Sequence, residues 1–206
     1  MQTQPTLSTS TKLQGEYAVV MIDLDIPTNT PPKTNTLLHW LQTGLTSAET
    51  ATTLNTTRGA SRVFLLQNRG NAAALASYIG PNPPARVPLS HRYTEILVNH
   101  TGLSTQGVSA LQLAAGTRQG FDAMQVLTAA GLADRVVAGN FFNVTNAGPV
   151  NNTGPGTGPG TGSGSGTGTA PLPTTSTFRG GAGALAPAGG MVIASLGVVA
   201  AVFFGL

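Results

Sequence analysis

The chain has 206 residues, of which only 8% are charged, and a formal net charge of +3. Its lysines and arginines form no run, so the composition gives little support to a nucleic-acid-binding protein. It contains no cysteine, so a secreted domain of this sequence would depend on its core without help from disulfides.

Apolar runs rich in β-branched residues predict five strands. They cover residues 17–23, 37–43, 62–67, 93–98 and 135–144. Helical spacing predicts one helix over 121–130, with Phe121, Met124 and Leu127 on one face. Residues 72–78 are predicted to form one or two helical turns. Many strands with one or two short helices indicate a mainly β domain.

Polar, Gly-rich and Pro-rich segments separate these elements and end the domain. The Thr-rich stretch 46–57 is predicted to be an exposed loop, and the prolines of 80–88 exclude a regular strand there. Residues 146–179 are dominated by Gly, Thr, Pro and Ser, a composition that predicts a disordered, flexible stalk. The folded domain is therefore expected within residues 17–145.

The last part of the chain has the pattern of a lipid-anchor signal. Small residues around Gly181 precede a short spacer and an apolar tail, 191–206, that contains no charged residue. The tail is shorter than the roughly 20 residues of a comfortable transmembrane helix. A small-residue site, a spacer and a terminal apolar tail are typical of a GPI-attachment signal, here residues 180–206 with Gly181 as the expected attachment site.

The first sixteen residues are expected to be a disordered or residual segment. They contain no apolar stretch of the kind a secretory signal needs. A GPI signal acts only on a protein that enters the secretory pathway. We therefore expect this chain to be an N-terminally shortened form of a longer, secreted protein.

Four Asn-x-Ser/Thr sequons offer candidate glycosylation sites. They begin at Asn55, Asn99, Asn143 and Asn151. Chance occurrence is frequent in a Thr-rich chain, and the sequon at Asn99 lies at the end of a predicted strand. Glycosylation of these asparagines is thus an expectation that competes with random matches.

Three groups of polar residues stand at or near the ends of predicted strands. Asp23 and Asp25 are two apart, so an unbroken strand would present both carboxylates on one face. Taken alone, aspartates before a proline more often cap a turn, and a strand histidine such as His39 is more often a core residue. His91 and Tyr93 follow the Pro-rich loop, in a setting where binding residues are common.

The order and spacing of these residues resemble the phosphatidylethanolamine-binding protein family over about residues 17–144. The family pattern is a Tyr, an apolar strand, Asp-Pro-Asp-x-Pro-Ser, ten residues and a His. The matching positions are Tyr17, Asp23-Leu24-Asp25-Ile26-Pro27-Thr28, Leu38-His39-Trp40, Tyr78-x-Gly80-Pro81-x-Pro83-Pro84, His91-Arg92-Tyr93, Gly131-Leu132 and residues 137–142. The resemblance implies an antiparallel β-sheet sandwich with one or two short helices, and is to fungal GPI-anchored members in particular.

The resemblance also implies a ligand pocket, and it carries over residue by residue. The pocket would use Asp23, Asp25, His39, the loop backbone at Asn82 and Pro83, His91 and Tyr93. This chain departs from the family pattern at Leu24, Thr28, Asn82 and Ser90. Leu24 would loosen the turn that aims the carboxylates, and Asn82 would alter the loop that meets an anion.

Two carboxylates beside an anion would repel it unless they act through other groups. We therefore expect Asp23 and Asp25 to orient and charge His39 and His91, so that the rings, the Tyr93 hydroxyl and loop amides donate to a phosphate. No cofactor is implied. Zinc held by the same histidines and aspartates is a weaker alternative, because the resemblance explains these residues without a metal.

The expected function is a binding protein at the outer face of a eukaryotic cell membrane, tethered by a GPI lipid. Its ligand would be a phospholipid headgroup or another small phosphorylated anion. The alternative is a protein-interaction or protease-inhibitor module with a vestigial pocket, whose partner would be a protein such as a protease. An enzyme is not expected, because the domain has no catalytic motif such as a Gly-x-Ser-x-Gly nucleophile elbow.

Overall fold

The computed structural model describes residues 3–56, 59–148 and 200–205. In chain order its elements are Thr6–Thr9 (β1), Tyr17–Pro27 (β2), Thr34–Ser47 (β3), Thr52–Thr56 (β4), Gly59–Gln67 (β5), Ser90–Asn99 (β6), Thr105–Ala115 (α1), Ala123–Ala129 (α2), a 3₁₀ turn at Ala133–Arg135, Val136–Thr145 (β7) and Ala200–Gly205 (β8). The mainly β prediction is confirmed.

The strands form one curled sheet in the order β1-β8-β7-β6-β2-β3-β5-β4. Strand β1 also pairs with β5, so the sheet bends until these two strands meet. The strand pairs of the described residues are antiparallel except β1 with β8. Strand β2 lies between β3 and β6, which explains why its sequence is apolar on both faces.

Apolar side chains pack on both faces of the central strands. Inside the curl, one cluster gathers around Met21, Trp40, Tyr93 and Leu97. On the other face, a second cluster lies between the sheet and the two helices, and includes Val20, Leu38, Leu111, Leu127 and Leu132. Successive side chains of β2 point to opposite faces of the sheet, so Met21 belongs to the first cluster and Val20 to the second. These two clusters fix the strands that carry the predicted pocket residues.

Helix α1 was not predicted, and its local chemistry shows how it forms. The Ser104 hydroxyl accepts a hydrogen bond from the Gly107 amide at 3.1 Å and caps the first turn. Gly107 allows α1 to approach the end of α2, because an added Cβ would lie 2.7 Å from the Ala130 carbonyl oxygen. The mixed polar sequence of this helix gives only a weak apolar stripe, which explains why periodicity did not reveal it.

Three local predictions were wrong. The segment predicted as an exposed loop, 46–57, contains the end of β3 and strand β4, which pairs with β5 from Thr52 to Thr56. The segment 72–78 forms no helix; Ala76 instead bridges to Leu41 of β3. The helix predicted over 121–130 covers only Ala123–Ala129, and Leu127 is buried as predicted whereas Met124 is exposed.

The two ends of the chain are described only in part. The segment 1–16, expected to be disordered or residual, contains β1, and Leu7 of this strand is buried in the curl. Residues 200–205 of the predicted apolar tail form β8 between β1 and β7. Gly181, Asn151 and nearly all of the predicted stalk lie outside the described residues. No helix within the described ranges is long and apolar enough to cross a membrane.

A buried acid lies between β6 and β7 inside the curl. Glu95 is fully buried, and its Oε2 accepts a hydrogen bond of 3.0 Å from Nδ2 of Asn140, the residue opposite it on β7. Oε1 of Glu95 and Oδ1 of Asn140 have no partner among the described residues. Burial raises the pKa of Glu95 to about 7, against the smaller opposing effect of the Asn140 hydrogen bond. The folded protein therefore favours the protonated acid.

Replacing Glu95 with Gln is expected to stabilise the protein at high pH and to change little at low pH. The folded pKa of about 7 lies above the ordinary 4.5, so the cost of ionisation is absent below pH 4.5 and complete above pH 7. Its full size is on the order of 3 kcal/mol, from about 1.4 kcal/mol per pKa unit. Urea unfolding of both proteins between pH 4.5 and 8 measures the difference.

The Glu16→Gln substitution is the matched control, because it makes the same chemical change at an exposed position. A Glu95→Gln protein that is equally destabilised at pH 5 and pH 8 would contradict a protonated Glu95. Such a result would mean that the carboxylate finds a partner which the neutral amide cannot replace.

Candidate functional site

The curled sheet brings four of the predicted site residues together at one end of three adjacent strands. Asp23 of β2 lies opposite Tyr93 of β6 in the antiparallel register. His91, two residues before Tyr93, shares its face of β6. Strand β3 has one extra residue in its pairing with β2, and this residue is His39. Trp40 pairs with Met21, and Leu38 pairs with the next residue of β2, so His39 has no partner on β2. All four are buried.

Asp23 makes the central contacts of this group. Its Oδ2 atom lies 2.7 Å from Nδ1 of His91, and both side chains are almost fully buried. An ionised carboxylate only accepts hydrogen bonds, so Nδ1 of His91 carries the proton and donates. Oδ1 of Asp23 accepts from the backbone amide of Asp25 at 2.8 Å. The second nitrogen of His91, Nε2, is buried without a partner among the described residues.

His39 has the same orientation for a different reason. Its Nδ1 atom lies 2.7 Å from the carbonyl oxygen of Ile79, which can only accept, so Nδ1 is again the protonated nitrogen. Nε2 is 4.0 Å from Oδ2 of Asp23 and has no hydrogen-bond partner in the described part of the chain. Burial lowers the pKa of His39, although the Ile79 carbonyl and the Asp23 charge oppose this effect.

Tyr93 completes the wall of the site. Its hydroxyl bonds to the Asp23 side chain and to the backbone amide of Asn82, and its ring stacks on Phe142 with a centroid distance of 5.3 Å. Burial, followed by the Asp23 charge, raises the pKa of Tyr93 far above its ordinary value. The phenol therefore stays neutral, and its single proton is donated to Asp23.

The expectation that Asp25 orients a histidine was wrong. Its two oxygen atoms bind Arg92, at 2.7 Å to Nη2 and 2.8 Å to Nε, and one of them also accepts from the Arg92 amide. These hydrogen bonds lower the pKa of Asp25. Alternation along β6 places Arg92 on the opposite face from His91. Asp23 therefore contacts a residue on one face of that strand, and Asp25 contacts a residue on the other.

The predicted loop residues contribute in different ways. The Asn82 amide donates to Tyr93, so it fixes the phenol. Pro83 has no N–H to offer, and its carbonyl oxygen accepts from Nδ2 of Asn146 at 2.9 Å. Pro83 therefore shapes the loop and cannot donate to an anion.

Two further arginine contacts were missed by sequence reasoning. Besides Arg92, Arg118 donates to the carbonyl oxygens of Leu38 and His39 and to that of Ser77. It fastens the segment before Ile79 to β3, and so holds the carbonyl that orients His39. These contacts join residues about 40 to 80 positions apart, and no local pattern signals them. The Arg92 contact had one signal, its place beside His91 in the triplet His91-Arg92-Tyr93 that resembles the family pattern.

The site thus presents two buried imidazole nitrogens, a neutral phenol and no free carboxylate oxygen on Asp25. A neutral ring offers its Nε2 as an acceptor and a protonated ring offers it as a donor, so the site suits a ligand that can share a proton. Within residues 3–56, 59–148 and 200–205, no group of three or more His, Asp and Glu side chains is placed to hold a metal ion. This geometry gives the zinc alternative no support.

The candidate glycosylation sites differ in exposure. Asn55 and Asn143 are exposed on β4 and β7, whereas Asn99 is half-buried and its Oδ1 accepts from the Thr101 amide at 2.9 Å. Glycosylation at these positions stays a prediction, as it does at Asn151.

Comparisons with known proteins identify a matching family model and a similar solved structure. The family model described as "Phosphatidylethanolamine-binding protein" matches residues 1–142. A solved structure described as carboxypeptidase Y inhibitor complexed with its cognate proteinase is similar, with 21% identity and a TM-score of 0.41. That match covers 62% of this chain and 58% of the other, so this chain spans little more than half of its length. A search of curated proteins found no match.

The Asp23→Asn substitution is expected to release the His91 ring from the tautomer in which Nδ1 donates to Asp23. At pH 8 each neutral ring should be protonated at Nδ1: His91 by Asp23, His39 by Ile79, and His100 because its Nε2 accepts from the Gly44 amide at 3.0 Å. Long-range proton–nitrogen NMR of the histidine rings reports the tautomer directly.

In the variant, His91 alone should change, because an asparagine amide in place of the carboxylate can also present an N–H to the ring. His39 and His100 serve as internal controls in the same spectrum. A protonated Nε2 on His91 in the unsubstituted protein would rule out the contact with Asp23 as described.

Proposed function

This chain belongs to the phosphatidylethanolamine-binding protein family, and from that premise we propose that its buried site binds the phosphate of a phospholipid headgroup or of another small phosphorylated anion. The observation that carries the proposal is the pair of buried, unpartnered Nε2 atoms on His39 and His91. A buried polar atom without a partner is costly, and a bound ligand that supplies one removes this cost.

A phosphate monoester suits these two nitrogens because it can share a proton with them. Its second pKa is about 6, close to that of imidazole, so one proton can lie on either the ligand or a ring. The Nδ1 atoms of both rings are held by Asp23 and Ile79, which leaves only the Nε2 atoms to meet the ligand. The neutral Tyr93 hydroxyl donates its single proton to Asp23 and accepts from the Asn82 amide, so it holds Asp23 in place while the Nε2 atoms meet the ligand.

The negative charge of Asp23 opposes a bound anion, and the contacts around it offset this repulsion. The carboxylate is hydrogen-bonded to His91, Tyr93 and the Asp25 amide, so its charge is spread over three donors. Asp25 is paired with Arg92. With these oxygens occupied, neither carboxylate is free to take a ligand ammonium, so we propose phosphate as the recognised group.

Its location is a separate proposal that rests on the sequence. A GPI lipid attached near Gly181 would tether the domain by a flexible stalk to the outer face of the cell membrane. The alternative function, interaction with a protein such as a protease through the surface, would leave the pocket unused. It predicts that partner binding persists when both pocket histidines are replaced.

Binding of phosphoethanolamine is expected to weaken as the pH rises above about 6. Burial lowers the pKa of His39 from its ordinary 6.5, so this ring is neutral at pH 7 and a dianionic ligand binds with uptake of a proton. Below about pH 6 the ligand brings that proton itself, so the affinity should level off. Above it, the affinity should fall by about tenfold per pH unit for each proton taken up.

Amide NMR titrations of the full chain between pH 5 and 8 measure this profile, with ethanolamine as the ligand control. His39→Gln and His91→Gln should each weaken binding by about tenfold or more, the loss of one charge-assisted hydrogen bond. His100→Gln is the matched control, since His100 lies at the other end of β6 from His91. An affinity that is constant from pH 6 to 8, or insensitive to both pocket variants, would refute phosphate binding through these rings.

A further inference from the structure

The irregularity at His39, here called the β3 bulge, changes the face on which the side chains of β3 lie. Leu38 and Trp40 are two residues apart, so an unbroken strand would present both on one face of the sheet. Leu38 packs instead in the cluster beneath the helices, and Trp40 packs in the cluster inside the curl. The core therefore depends on the bulge, and the bulge supplies a histidine to the site.

One arginine binds the backbone of the β3 bulge. In a regular strand the carbonyl oxygens of successive residues point to opposite edges, where they meet different neighbours. The carbonyl oxygens of Leu38 and His39 both accept from Nη1 of Arg118, at 3.2 and 3.4 Å, so at the bulge they lie on the same edge of β3. Because backbone carbonyls in the interior need partners, this contact stabilises the irregular backbone.

The same guanidinium reaches the segment that orients the His39 ring. Nη2 of Arg118 donates to the carbonyl oxygen of Ser77 at 2.9 Å. Two residues farther on, the Ile79 amide donates to the His39 carbonyl at 2.9 Å, and the Ile79 carbonyl binds Nδ1 of the His39 ring at 2.7 Å. Ile79 thus holds both the backbone and the ring of His39, and Arg118 holds the segment before Ile79 against the bulge.

The place of Arg118 in the fold does not depend on its side chain. The Leu38 amide donates to the Arg118 carbonyl at 2.8 Å, and the Gly120 amide donates to the Thr36 carbonyl at 2.9 Å, so the connection between α1 and α2 runs along β3 by backbone pairing. Within the described ranges the guanidinium forms no ion pair with a carboxylate. Its five donors are directed at the backbone, which indicates a role in geometry rather than in charge pairing.

We propose that Arg118 is a positioning residue of the phosphate site, whose guanidinium holds the β3 bulge and the Ile79 segment together and so fixes the place and the tautomer of His39. This inference rests on the phosphate-binding function proposed above and adds a residue to it. Arg118 acts through the His39 ring and is assigned no contact with the ligand. A lysine cannot replace it, because an ammonium group is a single point of charge without the planar fork that reaches three carbonyls.

The Arg118→Lys substitution tests the fork separately from the charge. It keeps the positive charge, and the backbone pairing with β3 keeps the connection in place. At pH 8 the His39 ring of this variant should lose its single tautomer, so that long-range proton–nitrogen NMR shows protons on both Nδ1 and Nε2. His91 and His100 should keep their tautomers, because neither ring is held by the Arg118 contacts.

Arg135→Lys is the matched control for this substitution. Arg135 also donates to a backbone carbonyl oxygen, that of Thr101 at 3.1 Å, but it lies beyond the other end of β6 from His91. The Arg135→Lys protein should keep the tautomers of all three histidine rings.

The affinity for phosphoethanolamine shows whether Arg118 acts through His39. Arg118→Lys should weaken binding by about fivefold, which is less than the loss expected when the ring itself is removed in His39→Gln. In a protein that already carries His39→Gln, adding Arg118→Lys should change the affinity by less than about twofold, because the residue through which Arg118 acts is gone. Amide NMR titrations of the full chain measure all four proteins.

A His39 ring that keeps its proton on Nδ1 alone in Arg118→Lys would overturn the inference. A loss of affinity that is equally large with and without His39 would also overturn it, and so would a change in all three rings, which would show a general loosening of the fold. The tautomer is measured without ligand. A changed His39 tautomer in a protein that binds no phosphoethanolamine would therefore refute the proposed function and still support the positioning of His39 by Arg118.

Discussion

A buried negative charge on Asp23 is the constraint around which the site is built. The interior of the curled sheet is apolar, and an isolated carboxylate there would be unstable unless several donors met it. His91, Tyr93 and the Asp25 amide supply those donors. They come from β6 and from the next residues of β2, so the charge is satisfied only in the register that sets Asp23 opposite Tyr93.

The same constraint determines the tautomer of the two histidines. Because the Asp23 carboxylate accepts a hydrogen bond from Nδ1 of His91, the other nitrogen of that ring is turned away from the carboxylate. A peptide carbonyl, that of Ile79, holds His39 in the same tautomer, and there burial rather than charge dominates the pKa. Two acceptors on different strands thus give both rings one tautomer. Asp25 supports this arrangement at a distance, since its pairing with Arg92 leaves it without a free charge two residues from Asp23.

Sequence patterns predicted what is local and missed what is long-range. The cores of β2, β6 and β7 could be predicted because their apolar, β-branched runs are long, and the family pattern named the residues that Asp23 gathers. The Asp25–Arg92 pair was missed because strand alternation predicted a common face for both aspartates, whereas the pairing of β2 becomes irregular just after Asp23. Helix α1 has too weak an apolar stripe, and β4 is a polar edge strand whose order comes from β5.

The protonation of Glu95 and that of His39 favour the same pH range. Glu95 lies on the same face of β6 as His91 and Tyr93, two residues from the phenol, and it is favoured as the neutral acid. Ionisation of Glu95 places an unpaired charge among the apolar side chains that hold this strand, which weakens the strand as the pH rises. Proton uptake on binding phosphate has the same sign, since His39 is most readily charged at low pH. The stability of the fold and the affinity for phosphate both increase as the solution becomes mildly acidic. If β6 carried an apolar residue in place of Glu95, only the affinity would depend on pH in this way.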